Sequence, residues 1–441
     1  MKKLLLITGI LLLMHTGEAQ AQLRPVFWWQ CDSGNVSYNF NSARLLSNGQ
    51  SIVFDSIPYY GEYTVIVVYH SMGEESEMPV WQLSFNDSVR CGLTTRNILH
   101  NQTSIQYSSD NRPGPIINTL QQTAPDGLDS TQSHCRLTLG STTEQSTHIK
   151  VAEIMYFEGK PAMGLLRRVQ SYLAIKYGVT LGPINYTDGY GNIVWRYKDN
   201  MPFHNRIIGV GTDSTYNLVQ PKSISECDSS IITLYADSLI EGRFCLLGDN
   251  GGAPAYTTDS ILGIEYLDRA WKVNQTLGTN VWDTTLYTVM IDTTLLPGNS
   301  DSLVLMVNSE YHFPDSIADG KLHYSNIAFA SDSTFLVLAR GAFLWNMAEG
   351  KTKQSPSSAD ALAGITTQVY PNPTNGRYTI DVSGAEEVTV KIHNTLGKEV
   401  MTYYDKEKYH YTFSGTLPNN NVYYVTITTE QGSQTMKLIV K

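Results

Sequence analysis

From residue 22 to about 159, short apolar runs alternate with turn-forming residues. Glu62-Tyr-Thr-Val-Ile-Val-Val-Tyr69 is dense in β-branched and aromatic side chains and predicts a strand. Further strands are predicted over 79–85, 103–108, 136–140 and 148–157, separated by Gly, Asn, Asp and Pro. Strands so closely spaced, with no helical period between them, predict a sandwich or jelly roll. The period then changes. Met163, Leu165, Leu166, Val169, Tyr172, Leu173 and Tyr177 recur at helical spacing, while Arg167, Arg168 and Lys176 fall on the polar side. Pro161 suits the first turn and Gly178 a left-handed stop, so one helix is predicted over 161–178. It should lie against a sheet edge and lead into the next domain.

Strand character returns over 179–350, with strands predicted at 192–197, 206–211, 230–235, 243–247, 267–273, 285–291, 303–307 and 334–339. Asp188-Gly-Tyr-Gly-Asn192 and Gly248-Asp-Asn-Gly-Gly252 are the turn signals. Residues 351–368, rich in Ser, Ala and Pro without period, read as a linker. Beyond it, Tyr378/Ile380/Val382, Val388/Val390/Ile392, Tyr423/Val425/Ile427 and Met436/Leu438/Val440 alternate with polar neighbours. About seven short strands over 369–441 predict an immunoglobulin-like sandwich. The fold class is therefore mainly β. It comprises a jelly-roll sandwich over 22–160, a β-rich domain of unknown function over 179–350 and a small C-terminal sandwich.

Composition adds bounds. A length of 441 residues exceeds what one core spans. A net charge of −10 without a basic stripe excludes an electrostatic nucleic-acid binder. Lys2 and Lys3, the apolar run Leu4 to Met14 and Ala19-Gln20-Ala21 form a signal peptide over 1–21. That run is too short for a bilayer of ~30 Å. Export puts Cys31, Cys91, Cys135, Cys227 and Cys245 in a compartment that permits disulfides. Their number is odd; Cys227 and Cys245 are close enough in sequence to pair across neighbouring strands, and no spacing suggests a metal site.

The C-terminal segment carries an ordered set of signals. Val369-Tyr370-Pro371-Asn372-Pro373 opens it, followed by Gly376, Leu396-Gly397-Lys398-Glu399-Val400, Leu417-Pro418, Val422-Tyr423, and Lys437-Leu-Ile-Val440-Lys441. This resembles the type A C-terminal sorting domain of type IX secretion in Gram-negative bacteria; Asn421 stands where that family usually has glycine. The resemblance implies export through the periplasm to the cell surface or beyond. Its implied partners are the type IX machinery and its sortase, with linkage to surface lipopolysaccharide as a further step. Val151-Ala-Glu-Ile-Met-Tyr-Phe157 and Arg167-Arg-Val-Gln-Ser-Tyr-Leu-Ala-Ile-Lys-Tyr-Gly-Val-Thr-Leu181 resemble the close of concanavalin A-like, or laminin G-like, domains. Ile207-Ile-Gly-Val-Gly-Thr-Asp213 and Leu247-Gly-Asp-Asn-Gly-Gly252 resemble the uncharacterised β domain that follows them. These two resemblances imply fold, not activity.

No HExxH, GxSxG or phosphate-cradling motif is present, and no catalytic residue is assigned. His134 and Cys135 are neighbours on a strand, so they face opposite ways and make a poor nucleophile–base pair. Glu153, Glu158, Glu265 and Asp268 are the carboxylates that a glycosidase reading would nominate, without a spacing that favours them. Asp188, Asn192, Asp249 and Asn250 are candidate calcium ligands, although each turn supplies too few oxygens alone. Phe27, Trp28, Trp29, Tyr59, Tyr60 and Trp81 are candidates for a platform that stacks on a glycan or host protein. The triplet of Asp, Ser or Thr, and then an apolar residue or Thr recurs upstream of the C-terminal segment. It resembles an O-glycosylation sequon of exported proteins and offers Ser56, Ser88, Ser238, Ser260, Ser302 and Ser316; turn chemistry explains it equally well. The leading expectation is a non-enzymatic surface protein with a binding, adhesive or structural role. A secreted glycan-active hydrolase and a surface signalling or assembly component are the alternatives.

Overall fold

The computed structural model describes residues 24–440 apart from 48, 73–76, 87–88, 102, 107–112, 124–133, 142–147, 229, 259–263, 277–284, 299–302, 309, 330–333, 342–365, 395–397, 407, 409, 419–420 and 431. The signal segment 1–21, most of the linker over 351–368, Gly397, Ser88, Ser260 and Ser302 lie outside the described residues. The chain is mainly β, built of stacked antiparallel sheets.

The first sandwich pairs two six-stranded sheets. One runs Ile116–Thr123, Glu62–Met72, His148–Glu158, Asn41–Leu46 and Val36–Tyr38, with Phe27–Gln30 added on His148–Glu158. The other runs Ser51–Pro58, His134–Gly140, Pro79–Asn86, Val89–Thr94, Asn97–His100 and Thr103–Gln106. The dense apolar run at Glu62 has a simple cause: both of its faces are covered. Tyr63, Val65, Val67 and Tyr69 point into the sandwich, whereas Ile66 and Val68 point the other way into a second core.

That second core contains the helix, Met163–Tyr177, capped by Gly178 in the left-handed region. The helix touches the edge strands Ile116–Thr123 and Leu218–Gln220, as expected, but its burial goes further than an edge contact. Leu166, Val169, Leu173 and Ile175 share a core with Ile66, Val68, Met155 and Phe157 of the first sandwich. The same core includes Ile207, Leu218, Phe244 and Leu246 of the following β unit. A helix gripped from two sides buries more than one stripe, which is why Ser171, Tyr172 and Ala174 are buried as well. Each large aliphatic side chain buried there contributes about 1.5–3 kcal/mol.

The following unit packs an eight-stranded sheet on a five-stranded one. The larger sheet begins with Leu218–Gln220, Asn205–Asp213, Phe244–Asp249, Glu265–Gln275 and Thr334–Arg340. The smaller is centred on Ile232–Ala236, Tyr287–Asp292 and Lys321–Ile327. Leu234, Val289, Leu305, Tyr324 and Leu338 fill the space between them. The C-terminal unit is a sandwich of three and four strands around Ile380, Val390, Val425 and Leu438.

Cys245 lies in the central strand Phe244–Asp249, flanked on both sides by partner strands, while Cys227 follows the short strand Lys222–Ile224 in a loop. They do not pair as their sequence spacing suggested, because they do not sit on neighbouring strands. All five cysteines are free thiols.

Candidate functional site

One extra residue organises the seam between the two upstream units. Strand His148–Glu158 pairs Val151 with Tyr69 and Glu153 with Val68, so Ala152 has no partner on the strand Glu62–Met72 and forms a β-bulge, while its carbonyl accepts from Cys31 N at 3.0 Å on the other side. Ala152 and Glu153 consequently both face the helix, where strict alternation would have sent Glu153 into the sandwich. Buried at the bulge, Glu153 accepts from Trp28 Nε1 at 2.7 Å, Tyr177 Oη at 2.8 Å and Tyr172 Oη at 3.1 Å. Lys176 Nζ lies 2.8 Å away, with its side chain only 14% exposed, and also donates to Tyr172 Oη at 2.9 Å. Burial, reinforced by the adjacent carboxylate, pushes the Tyr172 and Tyr177 phenols well above their usual range, so they are donors at any physiological pH.

A second polar group locks the same seam. The hairpin joining Val36–Tyr38 to Asn41–Leu46 turns through Asn39 and Phe40, both with positive φ, at 47° and 65°. Two such residues in a two-residue loop are the pattern of a type I′ turn. Asn39 is buried; its Nδ2 donates to Ile175 O, Lys176 O and Ser223 Oγ, and its Oδ1 accepts from Ile224 N. Its backbone N–H donates to Glu226. One side chain thus satisfies the helix end and the first strand of the five-stranded sheet together. Gly178 is close enough that a Cβ there would meet Ile224 O at 2.3 Å.

Beside these groups opens a cleft of about 310 Å³, lined by Gln30, Asp32, Phe40, Asn41, Ser42, Lys176 and Asn217 among others. Phe40 is 52% exposed. For a bulky residue the left-handed region costs about 1–2 kcal/mol, so the turn displays an aromatic side chain in a conformation that glycine would adopt freely. Lys222 Nζ sits 4.6 Å from its ring centroid.

His70 and Glu226 flank the seam from the other side. His70 Nε2 accepts from Gly114 N at 3.4 Å, which leaves Nδ1–H to donate to Tyr38 Oη at 3.2 Å. Burial, helped by Lys150, lowers the His70 pKa. Its folded value lies below its unfolded one, so its contribution is complete above about pH 6.5 and is lost as pH falls through that region. Burial raises the Glu226 pKa, offset in part by the Asn39 N–H and Lys150. Its contribution has the opposite sign, being present at low pH and lost as Glu226 ionises, in a window beginning near the ordinary carboxylate value. As pH falls from about 7 to 5.5 the His70 contribution should therefore lower the thermal midpoint, and His70→Gln should flatten that fall. An unchanged slope in a calorimetric pH series would show that His70 is not responsible.

The other nominated residues lie apart. Trp81 is fully buried in the sandwich. Trp28 and Trp29 take opposite faces of Phe27–Gln30, Trp28 toward the helix and Trp29 toward Phe54. Tyr59 and Tyr60 pack on the sandwich core, so these rings form no common platform. Cys135 is buried and His134 exposed, as their adjacency on a strand required. Glu265 pairs with Arg340 at 2.5 Å, Asp268 accepts from Thr257 Oγ1, and Glu158 is exposed at a strand end.

Among the calcium candidates, Asp249 is held by Arg206 through two bonds of 2.6 Å and by Gly251 N. Asp188 accepts from Tyr190 N, Asn192 N and Asn192 Nδ2. Donors already occupy the oxygens that calcium would need, so neither turn fits the ion. Ser56, Ser238 and Ser316 are exposed, and Ser56 has φ 62° at a bulge opposite Arg136.

In the C-terminal unit the motif residues converge on the last strand. Asn372 Oδ1 accepts from Ile439 N at 2.9 Å and its Nδ2 donates to Lys437 O at 2.5 Å, while Thr374 N donates to Ile439 O. The turn after Tyr370-Pro371-Asn372-Pro373 is thus stapled to Gly432–Val440. Tyr423 and Val440 are buried; Tyr370, Val400 and Lys437 are exposed, and Gly376, with φ 101°, accepts from Leu417 N. Asn421 simply begins the strand Asn421–Thr429, so the departure from glycine needs no special backbone. Residues 368–441 match the family described as secretion system C-terminal sorting domain. This unit is that sorting domain. A sorting domain of this family implies type IX secretion to the cell surface. Among the described residues no helix is long and apolar enough to cross a membrane.

Upstream of the sorting domain, residues 166–335 match a domain of unknown function (DUF8202), which begins inside the helix. No curated protein matches the sequence. Structural alignment pairs it with a Faecalibacterium prausnitzii beta-glucuronidase at 10% identity, over 39% of this chain and 37% of that one, with a TM-score of 0.14. A Parabacteroides merdae beta-glucuronidase aligns at 9% identity over 38% and 26%, with a TM-score of 0.12. The BSP domain of a biofilm associated protein aligns at 10% identity over 92% and 83%, with a TM-score of 0.14. The chain spans about a third of the first of these by length, and at such scores none of the three carries an argument.

Proposed function

We propose that the exported chain is a non-enzymatic binding protein of the bacterial surface, adhesive or structural in role. The observation that carries this reading is the state of Glu153. It is a buried carboxylate bonded to Lys176, which lines the cleft, and Lys176, Tyr172, Tyr177 and Trp28 saturate it with donors; the exposed Asp32 in the lining is a single carboxylate, not the facing pair that glycoside hydrolysis uses. A general acid or base needs an oxygen free to exchange a proton with substrate. Glu265 and Asp268 are likewise committed, and the two upstream units share a core that presents an open polar cleft. The partner in this proposal is a glycan or a host protein. Lipopolysaccharide linkage after removal of the sorting domain belongs to the same proposal, as does glycosylation of the exposed Asp-Ser sites.

An array of glycans and matrix proteins, probed with full-length secreted protein, should show saturable binding without release of reducing ends. Sugar release would favour a hydrolase, and a blank array would end the binding reading. Truncation after residue 367 should abolish surface display while soluble protein accumulates in the periplasm. Surface display of the truncated chain would overturn the assignment of the address to the sorting domain. The intact mass of the secreted protein tests the sequon reading, which a mass equal to the unmodified chain would exclude.

A further inference from the structure

We infer that the seam cleft is a binding site for a neutral, hydroxylated ring such as a hexose unit of a glycan, with Phe40 as its stacking wall. The inference rests on the binding reading above and gives it a location. Three observations converge. The cleft lies where two β units meet, a place where ligand sites are common, and its volume of about 310 Å³ suits one or two sugar rings. Its lining holds uncommitted polar groups. Gln30 and Asn41 spend their amide N–H groups on Glu153, Tyr172, Lys176 O and Gln220, which leaves the amide oxygens Gln30 Oε1 and Asn41 Oδ1 as acceptors. The side chains of Asp32, Ser42 and Asn217 make no hydrogen bond to described residues, and Lys176 uses two of its three N–H groups internally.

These groups select the ligand. Acceptors outnumber donors, so an anion is disfavoured, while the buried Glu153–Lys176 pair brings no net charge. A ring hydroxyl both donates and accepts, and can answer Gln30, Asn41 and Asp32 as well as the remaining Lys176 N–H. The third observation is Phe40, half exposed at the cleft on a positive-φ turn. The Lys222 ammonium, 4.6 Å from the ring centroid, engages one part of this aromatic ring, and the half of it left exposed offers a sugar's apolar C–H face a fitting partner.

The test separates folding from binding. Phe40→Gly relieves the backbone, so the thermal midpoint should stay level or rise, yet affinity for the glycan should fall about tenfold or more. Asp32→Ala, at an exposed position, should weaken binding about fivefold with no change in midpoint. Full-length protein and both variants would be titrated by NMR saturation transfer against methyl glycosides of glucose, galactose and mannose, with glucuronate and cadaverine as charged controls. Saturation transfer from a neutral glycoside, reduced in both variants, is the expected result. Response to cadaverine or glucuronate alone, to none of the probes, or equally in the variants would overturn the assignment. Array binding that survives in both variants would sink the cleft while the binding reading stands; a blank array would sink the binding reading itself.

Discussion

Glu153→Leu should destabilise the upstream units by about 3–5 kcal/mol, the range seen when one partner of a buried ion pair is removed. The change strands the Lys176 ammonium and leaves Trp28 Nε1 and the Tyr177 hydroxyl without their acceptor. Lys176→Met should cost less, because Glu153 keeps its indole and phenol donors and the methionine refills the stem. The double variant should recover part of the Glu153→Leu loss, since the isolated cation is gone. Urea titration followed by tryptophan fluorescence gives the three values. A Glu153→Leu loss below about 1 kcal/mol, or strict additivity in the cycle, would mean that the pair is exposed to water and not structural.

The second large effect should come from Asn39→Ala, at about 2–4 kcal/mol. Ile224 N loses its acceptor and Ile175 O a donor, in a buried place where each orphaned group costs about 1–3 kcal/mol, while Lys176 O keeps its bond from Asn41 Nδ2. Part of the cost is backbone, since alanine tolerates φ 47° poorly. Asn39→Gly isolates that part: it removes the same hydrogen bonds without the strain, so it should be milder by about 1 kcal/mol. Because Asn39 ties the helix end to the strand Lys222–Ile224, both variants should also speed proteolysis around residues 178–185. Equal protease resistance in wild type and Asn39→Ala would show that the seam is held by its apolar core alone.

The strands were legible where one face is wet. Tyr378/Ile380/Val382 and Val388/Val390/Ile392 alternate, and they form strands of the small sandwich. The helix was legible from its period, but its full setting was not, because a stripe of apolar residues says how wide the buried face is and not how many sheets cover it. Tyr172 and Tyr177 read as apolar stripe and Lys176 as its polar side. Their convergence on Glu153 depends on a bulge that no period reveals. Cys227 and Cys245 illustrate the opposite error, since nearness in sequence carried no information about strand order. The cleft went unread for the same reason: Gln30, Asn41, Lys176 and Asn217 lie far apart in the chain, and only the folded seam brings them together.

The bulge at Ala152 has one more consequence, for changes in chain length. Val151 pairs with Tyr69 and Glu153 with Val68, so the two flanks already meet consecutive residues of the opposite strand. Deleting Ala152 would close the gap opposite Glu62–Met72 and every remaining side chain would keep its face, at the cost of the carbonyl that accepts from Cys31 N. Deleting Ile154 or Met155 instead would send a tyrosine or a methionine to the wrong side of the sheet. Position 152 is therefore the point in this strand at which the chain can lose a residue and still read in frame.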